Sequence, residues 1–340
     1  MADVSGEGRF ARHTGARVNR KHMICTDTRL ISRRQALVAA LCAACLPAPR
    51  TRGAGSLPAS AFVEIAAGIF IRRGVDEDAA ASNDDAIANV GFIVGRDCVA
   101  TMDAGGSLAD GEALRAAIRR QTRLPIRYVI LSHGHPDHIF GAGAFLRDAP
   151  AFVGHAKLAN ALAVRGDYYR ARLETVLGKA RAGPIVAPTM LIQSQQRIDL
   201  GGRELVLTAH PIAHTDNDLS VLDSQTGTLL ASDLLFVGRV PALDGSLRGW
   251  LKELQALKAL PARRAVPGHG PASVNWPSAA AGLERYLTTL LTETRAAIAR
   301  GVTIEAAVNV VGQSERDKWV LFDDYHGRNV TQAYKELEWE

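Results

Sequence analysis

Short apolar runs separated by turn-forming residues recur along residues 62–275, and they predict a mixed α/β fold. Runs rich in Val, Ile and Leu and bounded by Gly, Asp or Asn are typical of strands, whereas apolar residues at helical spacing indicate helices. The predicted strands cover residues 62–71, 89–95, 98–102, 126–131, 151–154, 197–200, 204–207, 219–222, 228–231 and 264–266. The predicted helices cover residues 107–121, 139–146, 243–260 and 277–299, a long region up to Gly183 with a possible break at Gly166, and parts of 303–340.

Two segments without this periodicity organise the rest. Residues 75–88 are acidic and small, and we expect them to form a loop at the mouth of a site. Residues 182–190 are rich in Pro and Gly, which predicts a connection between two halves of the fold.

The strand predicted at residues 126–131 is followed by His133-Gly134-His135-Pro136-Asp137-His138, which places four potential metal ligands within six residues. Imidazole and carboxylate groups are ligands that zinc prefers. A polar surface loop is the alternative interpretation, but this density of histidine at a strand end favours a metal site.

The pattern H-x-H-x-D-H resembles the signature of the metallo-β-lactamase superfamily, and further family motifs follow in the expected order. They are His214-Thr215, the block around Asp233 at residues 232–236, and Pro267-Gly268-His269-Gly270. The resemblance covers residues 61–275 and implies an αββα sandwich of two mixed β-sheets flanked by helices. Four segments are most similar to the quinoprotein relay system zinc metallohydrolases: residues 68–74, 85–89, 214–218 and 328–330.

This resemblance implies a dinuclear zinc site, with iron or manganese as alternative metals. It assigns His133, His135 and His214 to a first ion, and Asp137, His138 and His269 to a second. Asp233 would bridge the two ions. Asp103, in an Asp-x-Gly sequence, would support the metal loop, although a simple turn residue is the alternative there. His155 is interpreted as a structural residue or as a residue that supports a ligand, and His210 as a structural residue, because the ligand count is complete without them.

Two sets of three protein ligands, each leaving a position open, predict hydrolysis by a hydroxide shared between two ions, with Asp137 orienting the attacking oxygen. The bond would be an ester, thioester, lactone or related bond. The presence of Asp233 makes the site similar to glyoxalase-II-type thioesterases and lactonases rather than to true β-lactamases. Two alternatives stay open: a mononuclear iron dioxygenase acting on a sulfur compound, and a non-catalytic metal-binding accessory to a periplasmic quinoprotein dehydrogenase system.

The basic charge of the chain is concentrated in its first 54 residues. The whole chain has 40 Lys/Arg and 35 Asp/Glu; without the ten Lys/Arg and three Asp/Glu of residues 1–54, 30 and 32 remain, and the formal charge moves from +5 to −2. Ser32-Arg33-Arg34 and the apolar residues 38–46 predict a twin-arginine export leader and a periplasmic protein. Residues 1–22 are interpreted as an upstream start. The remaining chain is divided into a domain at 55–275 and a helical extension at 276–340.

Composition limits the partners. No apolar run is long enough to span a bilayer, and the acidic mature chain offers no nucleic-acid surface, so a small-molecule substrate is expected.

Cys98 is the only cysteine after residue 45, which excludes an intramolecular disulfide in the mature chain. Arg239 and Arg248 could bind an anion, but we interpret them as solvated surface residues. The oligomeric state is left open. Substrate specificity is expected to depend on residues 75–88, Tyr168-Tyr169 and the C-terminal helices.

Overall fold

The computed structural model describes residues 62–340, and in this range thirteen strands form two mixed β-sheets flanked by helices. The predicted fold class is therefore confirmed. The predictions for the leader, its cleavage and Cys25, Cys42 and Cys45 lie outside the described residues.

The first sheet contains seven strands in sequence order. Neighbours β1 to β4 are antiparallel, and β4 to β7 are parallel. Parallel strands need crossover connections, which helices supply here. The elements are β1 (Phe62–Ala66), β2 (Ile69–Arg72), β3 (Val90–Val94), β4 (Val99–Met102), α1 (Leu108–Gln121), β5 (Ile126–Ile130), α2 (Pro136–Ile139), a 3₁₀ segment (Phe140–Asp148), β6 (Ala151–His155), α3 (Leu158–Leu177), α4 (Lys179–Ala182) and β7 (Met190–Ile192).

The second sheet contains six strands in the order β13-β12-β11-β10-β9-β8. Among the strands that the structure describes in this sheet, only β11 and β12 pair in parallel. The elements are β8 (Gln195–Asp199), β9 (Glu204–Ala209), β10 (Leu219–Asp223), β11 (Thr228–Phe236), α5 (Leu247–Lys258), β12 (Arg264–His269), β13 (Val274–Asn275), α6 (Ala280–Ala299), α7 (Ile304–Ala307), a 3₁₀ segment (Gln313–Lys318) and α8 (Phe322–Leu337).

Three apolar cores separate four layers. The central core joins the inner faces of the two sheets, with Ile93 and Ile130 from the first and Leu207 and Val221 from the second. A second core packs the first sheet against its helices, and a third packs the second sheet against α5, α6 and α8. Because each sheet buries one face against the other and one against helices, its central strands are buried on both faces, as in β11, which is buried throughout.

Several elements differ from the predictions. Strand β11 continues to Phe236, and β7 of the first sheet begins at Met190, so residues 182–190 do not connect the two halves. The single strand predicted for residues 62–71 is a hairpin, β1 and β2, which turns at Gly68 with a φ of 70° that glycine adopts readily. The possible break at Gly166 is wrong, because α3 continues through this residue. A Cβ there would lie 2.8 Å from Ile185, so this glycine allows close packing instead.

The C-terminal helices complete the layer outside the second sheet. Trp250 of α5, Tyr286 of α6 and Val330 of α8 are buried in the same core. The predicted domain boundary between residues 275 and 276 stays a prediction. No helix among residues 62–340 combines the length and apolar composition that a bilayer-spanning segment needs.

Candidate metal centre

The histidine-rich loop lies where β5 ends. The backbone leaves the strand at Leu131, and Pro136 then begins the short helix α2 at the position where a missing N–H costs no helical hydrogen bond. The consequence is a compact turn that holds His133 and His135 ahead of the helix and Asp137 and His138 within it.

The remaining predicted ligands come from the second sheet. His214 lies between β9 and β10, and His269 is the last residue of β12. Asp233 was predicted at a strand end, but it lies within β11, where the pairing with β12 is interrupted beside Ser232 at a φ of 48°. This irregularity is typical of a β-bulge, which redirects a side chain toward a site.

Three histidines form the first cluster. The His133 Nε2 and His135 Nδ1 atoms are 3.0 Å apart, and His214 Nε2 lies 3.2 Å and 3.0 Å from them, respectively. All three rings are largely or fully shielded from solvent, with His135 the most accessible at 17%. The structure therefore brings together the three nitrogen atoms predicted for the first ion.

Asp137, His138 and His269 form the second cluster. Asp137 Oδ2 lies 3.2 Å from His269 Nε2 and 3.4 Å from His138 Nε2. The two clusters are each tight enough to hold one ion, with all candidate ligand atoms of a cluster within 4.8 Å of one another.

Asp233 lies between the clusters, and its two oxygens face different ones. Oδ2 is 3.3 Å from His214 Nε2, whereas Oδ1 is 3.2 Å from His138 Nε2 and 3.5 Å from His269 Nε2. Gly268 makes this position possible, because a Cβ at that residue would lie 1.8 Å from Asp233 Oδ1. The predicted bridging position is thus matched by the geometry, while the role as a ligand stays a prediction.

The donor set fits two divalent cations. Tetrahedral zinc with Zn–N bonds of 2.0–2.1 Å separates its nitrogen ligands by about 3.3 Å, close to the spacing of the first cluster. In the second cluster, His138 Nε2 and Asp233 Oδ1 are buried and have no hydrogen-bond partner among the described residues. Buried polar atoms are normally satisfied, so atoms left without partners that converge on one point are typical of a metal position.

Each histidine is held at its other ring nitrogen, as expected for metal ligands. Two carboxylates do this: Asp103 lies 2.8 Å from His138 Nδ1, and Asp244 lies 3.3 Å from His135 Nε2. The other three partners are Ser132 Oγ for His133 at 2.9 Å, the Ala242 carbonyl for His214 at 2.6 Å, and the Ile87 carbonyl for His269 at 3.0 Å.

Asp103 is the centre of a wider support. Its Oδ1 accepts a hydrogen bond from the Ser132 backbone N–H, and its Oδ2 accepts one from Ser232 Oγ. Asp103 has a φ of 60°, which is typical of a turn residue. The same residue supports His138, so the two interpretations of Asp103 are compatible. It connects the loop of the first sheet to the β11 bulge of the second.

The two clusters differ in their electrostatics. Burial lowers the pKa of His133 well below its ordinary value, and burial also lowers the pKa of His214. In the second cluster, burial alone would lower the pKa of His138 and His269, but the adjacent carboxylates, Asp233 foremost, raise the pKa of both above the ordinary value. Burial by itself would raise the pKa of Asp233, but His138 and His269 hold that pKa well below its ordinary range. Neutral imidazoles and ionised carboxylates are the states that bind a metal, so a cation at the second cluster would displace the protons of His138 and His269.

Two other histidines lie apart from the clusters, as interpreted. His155 Nδ1 accepts a hydrogen bond from the Lys157 backbone N–H. His210 lies 2.8 Å from Ser220 Oγ and 3.1 Å from Glu253 Oε2, so both of its nitrogens are engaged in structural contacts.

A cavity of about 970 Å³ opens over the clusters. Its wall includes residues from all three regions expected to determine specificity: the 75–88 loop, Tyr168 and Tyr169 of α3, and α8. Arg239 also lines it and is only 4% exposed, so its interpretation as a solvated surface residue is wrong. The side chain of Arg248 is 56% exposed and pairs with Glu340, as a surface residue does.

Several supporting residues were missed because no local pattern marks them. Asp244 and Ser232 become significant only when distant segments meet at the clusters. Asn89 lies in one of the family-like segments, but its function was not predicted: its side-chain amide donates to the Pro267 carbonyl, and its backbone N–H donates to the Gly268 carbonyl. It thereby attaches the first sheet to the end of β12, which carries His269.

Comparisons with solved structures show the same fold at low sequence identity. A metallo-beta-lactamase from Pontibacter korlensis is 18% identical, with a TM-score of 0.55, over 67% of this chain and 98% of that one. A metallo-beta-lactamase family protein from Thermus thermophilus is 19% identical, with a TM-score of 0.59, over 81% and 94%. A stereoselective inverting sec-alkylsulfatase from Pseudomonas sp. is 19% identical, with a TM-score of 0.60, over 81% of this chain. The match spans about half (49%) of the sulfatase.

A search of curated protein sequences finds no match. The model of the metallo-beta-lactamase superfamily matches residues 83–269, more than half of the 340 residues and a range that includes all seven predicted ligands. The chain therefore belongs to the metallo-beta-lactamase superfamily.

Proposed function

We propose that this protein is a dinuclear zinc hydrolase that cleaves an ester, thioester, lactone or related bond. The observation that carries the proposal is the position of Asp233, with one carboxylate oxygen toward each of two complete ligand clusters. A mononuclear site would need only the first cluster. The second cluster, with three buried or nearly buried groups and unpartnered atoms, supports two ions instead.

When bound, two divalent ions would polarise the scissile bond and lower the pKa of a water molecule. The chain supplies the rest of the chemistry. Asp137 faces the cavity, and its carboxylate can accept a hydrogen bond from an attacking water and orient it. Burial alone would raise the pKa of Asp137, but His138 and His269 hold it well below the ordinary value, so the group is ionised and ready to accept.

The similarity of residues 68–74, 85–89, 214–218 and 328–330 to the quinoprotein relay system metallohydrolases supports a link to a quinoprotein dehydrogenase system. Asn89 and Asn329 in these segments both hold backbone beside the clusters: Asn89 at Pro267 and Asn329 at Pro241 and Leu243. This proposal concerns the setting of the reaction and leaves the dinuclear chemistry unchanged.

We also propose export through the twin-arginine pathway to the periplasm, supported by Arg33-Arg34 and the apolar residues after them. Replacing both arginines with lysine should retain the full-length chain in the cytoplasm, whereas wild-type protein recovered from the periplasm should begin near residue 55. Recovery of uncleaved wild-type chain from the cytoplasm alone would contradict export.

Metal content tests the site directly. Elemental mass spectrometry of the untagged mature chain should find near two zinc ions per chain, and His269→Ala should reduce this toward one. His210→Gln provides the matched control, since this buried histidine lies outside both clusters. One iron per chain, unchanged in His269→Ala, would replace the proposal with a mononuclear dioxygenase, to be tested by oxygen uptake with sulfur substrates.

Turnover is the second test. Wild-type protein loaded with zinc should hydrolyse members of a panel of thioesters, aryl esters and lactones, and His133→Ala should abolish this activity. Two bound zinc ions without turnover on any member would favour a metal-binding accessory protein.

A further inference from the structure

Arg239 is a buried cation whose charge is only weakly paired. Its side chain is 5% exposed, and the nearest carboxylate oxygen, on Asp78, is 3.8 Å away. Its other partners are neutral: Nη1 donates to the Glu77 carbonyl at 3.1 Å, and Nη2 lies 3.4 Å from Tyr325 Oη. A buried guanidinium normally has a close carboxylate or phosphate partner, so this one retains donor capacity toward the cavity that it lines.

The position of Arg239 connects this capacity to the metal centre. Nη1 lies 3.5 Å from His269 Nδ1, which itself lies 3.0 Å from the Ile87 carbonyl. With Nε2 directed to the cluster, Nδ1 carries the proton and donates to that carbonyl, so it does not accept from Arg239. The guanidinium therefore lies beside the second cluster without being used by it.

The cavity wall around Arg239 carries further positive charge. Arg172 of α3 and Arg328 and Lys335 of α8 line the cavity, and none of them forms an ion pair within residues 62–340. Four carboxylates outside the predicted ligand set also line it, but Asp244 pairs with Arg165 and Asp78 accepts from Tyr325. The Tyr325 hydroxyl is neutral and leaves the charge of Asp78 in place, so three acids remain, Asp78, Asp85 and Asp324. The four cations without a close carboxylate outnumber them and favour the entry of an anion.

Apolar groups complete the wall. Leu173 and Val176 of α3 lie on one side of the cavity, Phe236 lies near the clusters, and Val308 lies near α8. A cavity of about 970 Å³ with such a lining accommodates an apolar body together with a charged group.

Building on the proposed hydrolase, we propose that Arg239 is its specificity-determining residue and that the substrate is an amphiphilic anion. The apolar body packs against α3, and an oxyanion, either a carboxylate or a sulfate ester, accepts hydrogen bonds from the Arg239 guanidinium beside His269. Tyr325 positions Arg239 by contacting the guanidinium with its hydroxyl and its ring, 5.6 Å from the Arg239 Cζ atom.

Calorimetric titration of the zinc-loaded mature protein tests this assignment without requiring turnover. The probes are 4-phenylbutyrate, 4-phenylbutyl sulfate and the neutral 4-phenylbutyramide. Wild type should bind at least one anion at least tenfold more tightly than the amide, and the stronger of the two identifies the oxyanion. Arg239→Gln should weaken anion binding by at least tenfold and leave binding of the amide unchanged, as the loss of a charge-assisted hydrogen bond predicts.

Arg248→Gln is the matched control, because this exposed arginine lies outside the cavity and should leave all three affinities unchanged. Equal anion affinity in wild type and Arg239→Gln, at equal zinc content, would show that the ions or the rim hold the anion and would overturn the assignment. Failure of wild type to prefer either anion would also overturn it.

Arg239→Lys provides a second variant if Arg239→Gln does not fold. It keeps the charge and loses the planar fork, so the anions should bind at least threefold more weakly. Wild-type affinity in this variant would exclude a guanidinium anchor. A protein that binds the anions through Arg239 but hydrolyses nothing would retain this inference while contradicting the proposed hydrolase.

Discussion

The first half of the protein, residues 62–192 with the first sheet, and the second half, residues 195–340 with the second sheet, provide the candidate metal ligands in opposite ways. The first half provides four candidate ligands from one six-residue loop after β5, so a short stretch of sequence determines their relative positions. The second half provides His214, Asp233 and His269 from three separate segments around β9 to β12. Their relative positions depend on strand register across the sheet. A local cluster is thus completed by residues that only tertiary structure brings together.

The halves also differ in how their ligands are supported. Asp103, a side chain of the first half, holds His138 of the same half. In the second half, backbone carbonyls hold the histidines: Ala242 for His214, and Ile87, from the first half, for His269. Asp244 of the second half also lies 3.3 Å from His135 of the first, so support crosses the interface in both directions and both clusters depend on the packing of the two sheets.

The bridging residue should show the largest effect, because it serves both clusters. We predict that Asp233→Ala reduces kcat/KM by on the order of 10³-fold, corresponding to about 4 kcal/mol of transition-state stabilisation by paired metals. Zinc content should fall below two per chain. Activity and metal content are measured on the same purified samples. A variant that keeps two zinc ions and wild-type turnover would contradict the bridging geometry.

Substitution of one supporting carboxylate at a time tests the metal affinity of each cluster separately. Asp103→Ala should weaken the second ion, through His138, and Asp244→Ala should weaken the first, through His135. Removal of such partners lowers metal affinity by about 10–100-fold. Asp244 is more exposed, at 36% against 1% for Asp103, so its substitution should have the smaller effect.

Competition with a chromogenic chelator measures both affinities. In the double variant the two losses should be close to additive, because the carboxylates contact different clusters. Loss of the same ion in both single variants would mean that the two clusters do not fill independently.

The contrast between the halves also explains what the sequence could predict. The His133–His138 motif was recognisable because its chemistry and its spacing coincide within one turn. Apolar periodicity predicted most strands and helices, since both sheets are covered on two faces and their strands are apolar. Arg239 was misinterpreted because the burial of an arginine depends on distant partners, here Glu77 and Tyr325. Asp244 was missed for the same reason.

A substitution in helix α8 can test whether the segment around His214 depends on the C-terminal residues. Asn329 donates to the Pro241 carbonyl at 2.7 Å and accepts from the Leu243 N–H at 2.9 Å, on either side of the carbonyl that holds His214. Asn329→Ala leaves these buried groups unsatisfied, so it should lower the free energy of unfolding by about 2–4 kcal/mol. Urea denaturation measures this loss.

A control in the same helix is Thr331→Ala, which removes only a hydrogen bond to the Gly327 carbonyl of its own helix. It should change stability by less than about 1 kcal/mol. If Asn329→Ala were as stable as this control, the segment behind His214 would not depend on α8.

We expect the smallest effect on stability from Glu315, whose carboxylate pairs with Arg285 and Lys318 and belongs to neither cluster. The Glu315 carboxylate is 1% exposed and accepts hydrogen bonds from Arg285, Lys318 and Trp319. Burial alone would raise its pKa, but these partners lower the pKa from 4.5 to about 2. A lowered folded-state pKa contributes stability above pH 4.5, and this contribution is lost as the pH falls toward about 2.

Glu315→Gln should therefore lower the free energy of unfolding at pH 7 by about 1–3 kcal/mol, because it removes a charged acceptor of three hydrogen bonds. The difference from wild type should shrink as the pH falls below 4.5, because the carboxylate becomes protonated in the unfolded chain while it stays ionised in the folded protein down to about pH 2. Denaturation at pH 7, 4 and 3 measures this trend, with catalytic activity at pH 7 expected to stay unchanged because the residue lies outside the cavity. A constant difference across this pH range would mean that packing, and not ionisation, accounts for the contribution of Glu315.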